Sequence, residues 1–204
     1  MNNIFPELTS KIKELEKLSI SEERMKVLQP LVEFISNKIN SKEALKLNFI
    51  CTHNSRRSQL AQAWAMAASD YYEVPARCYS GGTEATAFFP QAIVTLSETG
   101  FGIEEKPGEN PEIKVDTGAS SNTFYSKVFD DEKNPTKNFA AVMTCSHADE
   151  NCPFIVGAES RIPLNYEDPK SFDDTVEMAE KYMERSDQIG SEMLYAFKKA
   201  NSNG

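Results

Sequence analysis

Five residues separate Cys51 from Arg57, and a serine follows: Cys51-Thr52-His53-Asn54-Ser55-Arg56-Arg57-Ser58. A thiol becomes a nucleophile as its thiolate, and it ionises where positive charge and N–H dipoles surround it. The backbone N–H groups of Thr52, His53, Asn54, Ser55, Arg56, Arg57 and Ser58 can converge on one anion if the loop leads into a helix. Arg57 adds a planar fork that grips two oxygens of a tetrahedral oxyanion. Asn54 and Ser58 have the hydrogen-bonding groups to brace such a loop, and the Ser58 hydroxyl can donate to the Cys51 sulfur. The chemistry implied is attack by a thiolate on a bound oxyanion.

The flanking residues supply the elements this chemistry requires. Leu45-Lys46-Leu47-Asn48-Phe49-Ile50 alternates and then runs apolar, as a buried strand does. After the loop, Leu60, Ala61, Trp64, Ala65 and Ala68 recur at helical spacing. A second apolar run, Phe139-Ala140-Ala141-Val142-Met143-Thr144, suits a parallel strand buried on both faces. It leads directly into Cys145-Ser146-His147-Ala148-Asp149-Glu150-Asn151-Cys152-Pro153. Strands alternating with helices predict an α/β fold with a small, mainly parallel sheet flanked by helices. Sites in such folds lie at the C-terminal strand ends, where Cys51 and Cys145 both fall.

Elsewhere the pattern is simpler. Residues 1–44 read as an N-terminal helical hairpin, with Ser21 capping its second helix, and residues 45–204 as the α/β domain. The hairpin is expected to pack on the domain rather than form a dimer surface. A short strand is expected at 76–80 and a helix at 90–99, with Pro90 in its first turn. Residues 104–118, rich in Pro, Gly and charge, read as loop, and 122–128 as an extra strand. Residues 145–153 read as a polar loop and 161–170 as a connector with a short strand around Ile162. A terminal helix is expected over 172–199.

Composition narrows the function classes. The 204-residue chain carries a net charge of −9, which disfavours nucleic acid and anionic membrane as partners. No run approaches the roughly 20 apolar residues of a membrane span, and no signal-peptide pattern opens the sequence. A cytoplasmic location is expected. The four cysteines are Cys51, Cys78, Cys145 and Cys152. In a reducing compartment they read as core, metal or redox residues rather than a disulfide framework. Zinc is disfavoured, because no Cys-x-x-Cys pair exists and His53 and His147 are the only histidines. Cys78, inside a strand, reads as core.

The string Cys51 to Ala61 resembles the phosphate loop of thioredoxin-coupled arsenate reductases, which share their fold with low-molecular-weight protein tyrosine phosphatases. Tyr79-Ser80-Gly81-Gly82-Thr83 is similar to the segment after the family's second strand, where the serine, here Ser80, braces the phosphate loop. Asp168-Pro169 stands where the family carries its general acid, the proton donor for a departing oxygen; Glu167 is the neighbouring alternative. Thr144 to Pro153 resembles the reductases' redox segment, including the trailing Asn-Cys-Pro. The resemblance implies that Cys51 attacks arsenate, that Cys145 and Cys152 relay electrons as disulfides, and that thioredoxin or another thiol reductant restores them. It implies no cofactor and no metal. Gln62 stands where one subgroup has a potassium-binding glutamate, so that site is not carried over. The alternative is a phosphatase acting on phosphotyrosine or small phosphate esters through a phosphocysteine. Lys170 replaces the aromatic platform expected there. A non-catalytic oxyanion sensor is a third class, opposed by the intact set of Cys51, Arg57 and Asp168.

Overall fold

The computed structural model describes residues 3–151 and 154–202. Two helices come first. In α1 (Pro6–Leu15), Pro6 occupies the first turn, where its missing N–H costs nothing. In α2 (Glu22–Ser41), the Ser21 side chain accepts a hydrogen bond from Arg24 N at 3.2 Å, as the capping pattern predicts. Leu8, Ile12 and Leu15 join Leu28, Leu31 and Ile35 in the same apolar core as Trp64, Tyr182 and Phe197.

The main sheet holds β1 (Leu45–Cys51), β2 (Ala76–Gly82), β6 (Phe139–Met143) and β7 (Ala158–Pro163) in the order β2-β1-β6-β7. All three pairings are parallel. Every residue of β6 is buried, which explains its unbroken apolar run. Helices α3 (Arg57–Tyr71), α4 (Pro90–Glu98) and α6 (Met178–Ser202) complete the main layers. Trp64 on α3 donates to Ser186 Oγ on α6 at 2.9 Å, so even the indole N–H at the centre of the core is satisfied.

The expected loop at 104–118 is corrected by a second sheet. β3 (Gly102–Lys106), β4 (Glu112–Asp116) and β5 (Ser121–Phe124) form an antiparallel meander. Ile113 and Val115 are buried between the charged residues of β4, an alternation that marks a strand with one solvated face. Opposite charges across the strands, such as Lys114 and Glu104 at 2.8 Å, occupy that face. The charge that made the segment resemble a loop belongs to its exposed side. Residues 146–151, expected as loop, form the short helix α5 (Ser146–Asn151). The terminal helix starts at Met178, later than expected, because Pro169–Phe172 form a separate 3-10 turn. Among the described residues, no helix is long and apolar enough to cross a membrane.

Candidate active site

β1 ends at Cys51 and α3 begins at Arg57, so residues 52–56 form the loop between strand and helix. Cys51 is buried, and its Sγ lies 3.0 Å from Ser58 Oγ. Asn54 closes the loop from within. Its left-handed backbone (φ 46°) is a conformation that asparagine tolerates better than most residues. Its Nδ2 donates to Ser58 Oγ at 2.9 Å, and its Oδ1 accepts from Lys127 N at 2.9 Å. With the Ser58 oxygen accepting from Asn54, its own proton is free to point at the Cys51 sulfur. Among the described residues, no protein acceptor takes a hydrogen bond from the N–H groups of residues 52–56. N–H donors at the start of a helix are an arrangement that suits an anion.

The remaining loop residues face different neighbours. His53, at the rim, brings Nε2 to 3.8 Å from Glu84 Oε2, and its carbonyl accepts from Ser126 Oγ at 2.9 Å. The Ser55 carbonyl accepts from Phe89 N at 3.0 Å. Arg56 turns its side chain away from the loop. Its Nε donates to Tyr182 OH at 2.5 Å and its Nη2 to Asp173 Oδ2 at 2.5 Å, with the guanidinium stacked 3.9 Å from the Phe89 ring centre. Its side chain is therefore a tether, and its backbone N–H remains with the loop.

Arg57 and Asp168 are brought together in the structure. Arg57 Nη2 donates to Asp168 Oδ2 at 2.5 Å, and Nη1 donates to the Tyr166 carbonyl at 3.0 Å. Asp168 Oδ1 also caps the 3-10 turn by accepting from Lys170 N at 3.1 Å, which fixes the carboxylate's direction. Glu167, the alternative acid, pairs outward with Arg185 at 3.2 Å and is highly exposed. Ser80 reaches the loop through an intermediary: its Oγ donates to Gln59 Oε1 at 3.3 Å, and Gln59 Nε2 donates to the Asn54 carbonyl at 2.9 Å. Gln59 was not singled out from sequence. A polar residue on the buried first turn of α3 was the available signal.

Cys145 lies beside the loop. The register that sets Ile50 against Met143 carries both chains past the sheet at the same level. Thr144 donates twice to the Ile50 carbonyl, from N at 2.7 Å and from Oγ1 at 2.9 Å. Cys145 Sγ is buried 3.4 Å from Thr52 Oγ1, in the same apolar cluster as Cys51. Ala148 N donates to that sulfur at 3.4 Å, and His147 Nδ1 lies 3.3 Å from Thr52 Oγ1. Cys152, the other relay cysteine, falls outside the described residues. Cys78 is buried in β2, and burial, with the negative charge of Asp70, pushes its thiol far above the ordinary range.

A cleft of 410 Å³ opens beside Gln62, lined also by Tyr79, Glu112, Tyr125, Lys127 and Lys133. Gln62 donates to the Cys78 carbonyl at 3.1 Å, and Lys127 is buried. The cleft therefore brings the Lys127 and Lys133 ammonium groups together with the Glu112 carboxylate, while Gln62 adds no charge to it. Among the described residues, no group of three or more His, Cys, Asp or Glu is arranged to hold a metal ion.

No family model matches the chain. Over 122 residues it is 34% identical to an arsenate reductase 2 of Staphylococcus haemolyticus, covering 59% of this chain and 76% of that protein. Two solved structures share the fold. One is an arsenate reductase in a phosphate-binding state, with a TM-score of 0.51 and 19% identity over 76% of this chain and 98% of the other. The other is a low-molecular-weight phosphotyrosine phosphatase of Vibrio cholerae, with a TM-score of 0.51 and 15% identity over 75% and 94%. With 34% identity over three quarters of the Staphylococcus haemolyticus reductase's length, the chain belongs to the arsenate reductase family.

Proposed function

We propose that the protein reduces arsenate to arsenite with Cys51 as nucleophile and Cys145 and Cys152 as a thiol relay. The observation that carries this reading is the approach of Cys145 Sγ to Thr52 Oγ1 at 3.4 Å, which sets a second buried thiol beside the nucleophile's own loop. A phosphocysteine route does not require it; in a phosphatase it would serve only as part of a protective redox pair with Cys152. The loop N–H groups and Arg57 hold the oxyanion. Cys51 thiolate attacks arsenic, an As–O bond breaks, and Asp168 gives its proton to the departing hydroxide. Cys145 thiolate then attacks Cys51 Sγ. A disulfide forms, the S–As bonding pair stays on arsenic, and arsenite leaves. Cys152 thiolate attacks Cys145 and frees Cys51. An external dithiol such as thioredoxin then supplies two electrons to the Cys145–Cys152 disulfide, restoring both thiols and itself becoming a disulfide.

A phosphatase is the second reading, because Cys51, Arg57 and Asp168 alone suffice for a phosphocysteine route. Thioredoxin-coupled arsenate turnover and p-nitrophenyl phosphate hydrolysis, measured on the same sample, separate the two. Under the reductase reading, Cys152→Ser completes one turnover and stalls with a Cys51–Cys145 disulfide, visible by mass spectrometry of a non-reducing digest. Cys145→Ser blocks arsenite release. Normal arsenate turnover in both variants would replace the relay with an external-thiol mechanism.

A further inference from the structure

We propose that Arg24, on the N-terminal hairpin, is a positioning residue for the acid loop: it clamps residues 165–168 so that Asp168 meets Arg57. This rests on the reading of Asp168 as the general acid. Arg24 lies in the first turn of α2, outside the main sheet, yet its guanidinium reaches three separate partners. Nε and Nη2 donate to the two oxygens of Glu192 on α6, each at 2.8 Å. Nη1 donates to the Asn165 carbonyl at 3.2 Å, and the guanidinium carbon stacks 4.8 Å from the Tyr166 ring centre. Tyr166 is buried, and its own carbonyl accepts from Arg57 Nη1 at 3.0 Å. Two arginines, one on the hairpin and one at the start of α3, therefore hold one short segment. Asp168 follows immediately and pairs with the second of them at 2.5 Å.

Backbone bonds also fasten this stretch to the sheet. Leu164 N donates to the Met143 carbonyl at 2.8 Å and Tyr166 N to the Thr144 carbonyl at 3.2 Å, which continues the line of β7. Beyond Tyr166 the chain leaves the sheet. Arg24 grips it at that departure. The geometry needs a planar fork with donors on several edges and a face that stacks, which lysine lacks. Glu192 is buried, with a side-chain exposure of 3%, so it holds the guanidinium in one orientation. The hairpin thus has a task at the site as well as a place in the core.

The test pairs Arg24→Met with Glu192→Met. Replacing both members of a buried pair by apolar residues avoids stranding a charge and commonly preserves stability. Arg24→Lys, which keeps the charge but loses the fork, is run beside it. Each is made in the wild-type and in the Asp168→Asn background. The readouts are the single-turnover rate of arsenate consumption, the dissociation constant for inorganic phosphate, and the thermal midpoint. In the wild-type background the rate should fall roughly ten- to a hundredfold, as for a displaced catalytic group. Phosphate affinity should stay within about twofold, because the loop and Arg57 supply it. In the Asp168→Asn background neither change should slow the enzyme further. An unchanged rate in both folded variants, or the same fold-loss in both backgrounds, overturns the positioning role. Asp168→Asn turning over at the wild-type rate instead overturns the acid reading itself.

Discussion

A cysteine's neighbourhood decides what it does, and Cys51 and Cys78 show the two extremes. Cys51 has the Ser58 hydroxyl at 3.0 Å and stands at the entry of a loop that leads into a helix. Cys51→Ser should abolish arsenate turnover, because a hydroxyl in this setting stays protonated; turnover above background would remove Cys51 from the role. Cys78 sits in the core with its thiol pushed up by burial and by Asp70. Native protein treated with iodoacetamide at pH 9 should remain unlabelled at Cys78 on peptide mapping, and Cys78→Ala should keep full turnover. Labelling of Cys78 in the folded state would show that its burial is wrongly assigned. For Asp168→Asn, loss of a positioned acid should slow the first chemical step by roughly 10²–10⁴-fold. Measured by rapid quench, an unchanged step would shift the role to water. The loop was legible in the sequence because its geometry is local: seven consecutive positions carry thiol, donors and fork. Arg56 was not legible as a tether, because its partners Asp173 and Tyr182 lie 117 and 126 residues away. Nothing in a string of neighbours says which long-range partner an arginine will find.

The segment from Tyr125 to Phe129 shows how an element without regular secondary structure supports the loop. Lys127 N bonds Asn54 Oδ1, its carbonyl accepts from Gly82 N at 2.8 Å, and Ser126 Oγ bonds the His53 carbonyl. The segment was expected as the end of a strand. The strand stops at Phe124; beyond it Lys127 N turns to Asn54 of the loop, and Val128 makes an isolated parallel bridge to Gly82 of β2. The same reasoning explains β3 and β4, where buried Ile113 and Val115 were hidden among charges that only a solvated sheet face accommodates. Lys127 carries an energetic cost for its position. Burial depresses its ammonium to about 8, with Asp131 opposing part of that shift. Below pH 8 it is charged in both folded and unfolded states, and burying the charge costs stability. As pH rises from about 8 toward the free-lysine value the folded form loses its proton first, and that cost fades. Lys127→Met should therefore raise stability in urea melts at pH 7 by roughly 1–3 kcal/mol, a gain that shrinks toward pH 10. A gain constant with pH would mean that the charge is not its source. Because an ammonium already occupies this cleft, exchanging potassium for sodium at fixed ionic strength should leave arsenate turnover unchanged. Activation by potassium would show that a cation displaces or bypasses Lys127.

The molecule as a whole is joined where three helices converge on a single glycine. Residues 1–44 were legible as an amphipathic hairpin, because apolar residues at three- and four-residue spacing define a stripe. The surface that receives the stripe was not legible, since it depends on how α6 passes between the hairpin and α3. Gly190 on α6 marks that crossing. A Cβ built there would lie 2.8 Å from Leu15 Cδ1 and 2.9 Å from Trp64 Cδ2. Leu15 is the flexible end of a side chain and can turn away. Trp64 cannot: its Nε1 bonds Ser186 Oγ at 2.9 Å, and its ring meets Phe101 edge-on at 5.2 Å. A methyl at 190 must therefore push α6 outward, against the usual helix-propensity gain of glycine to alanine. Overpacking of this kind costs roughly 1–3 kcal/mol. In a chain of this size Gly190→Ala should lower the thermal midpoint by roughly 3–10 °C. If α6 also moves Glu192, two residues on, the Arg24 clamp loosens and single-turnover arsenate consumption at 25 °C falls while inorganic phosphate still binds. A lower midpoint with an unchanged rate would confine Gly190 to the core. An unchanged midpoint would mean that the crossing has slack, and that the hairpin is less tightly keyed to the domain than its packing indicates.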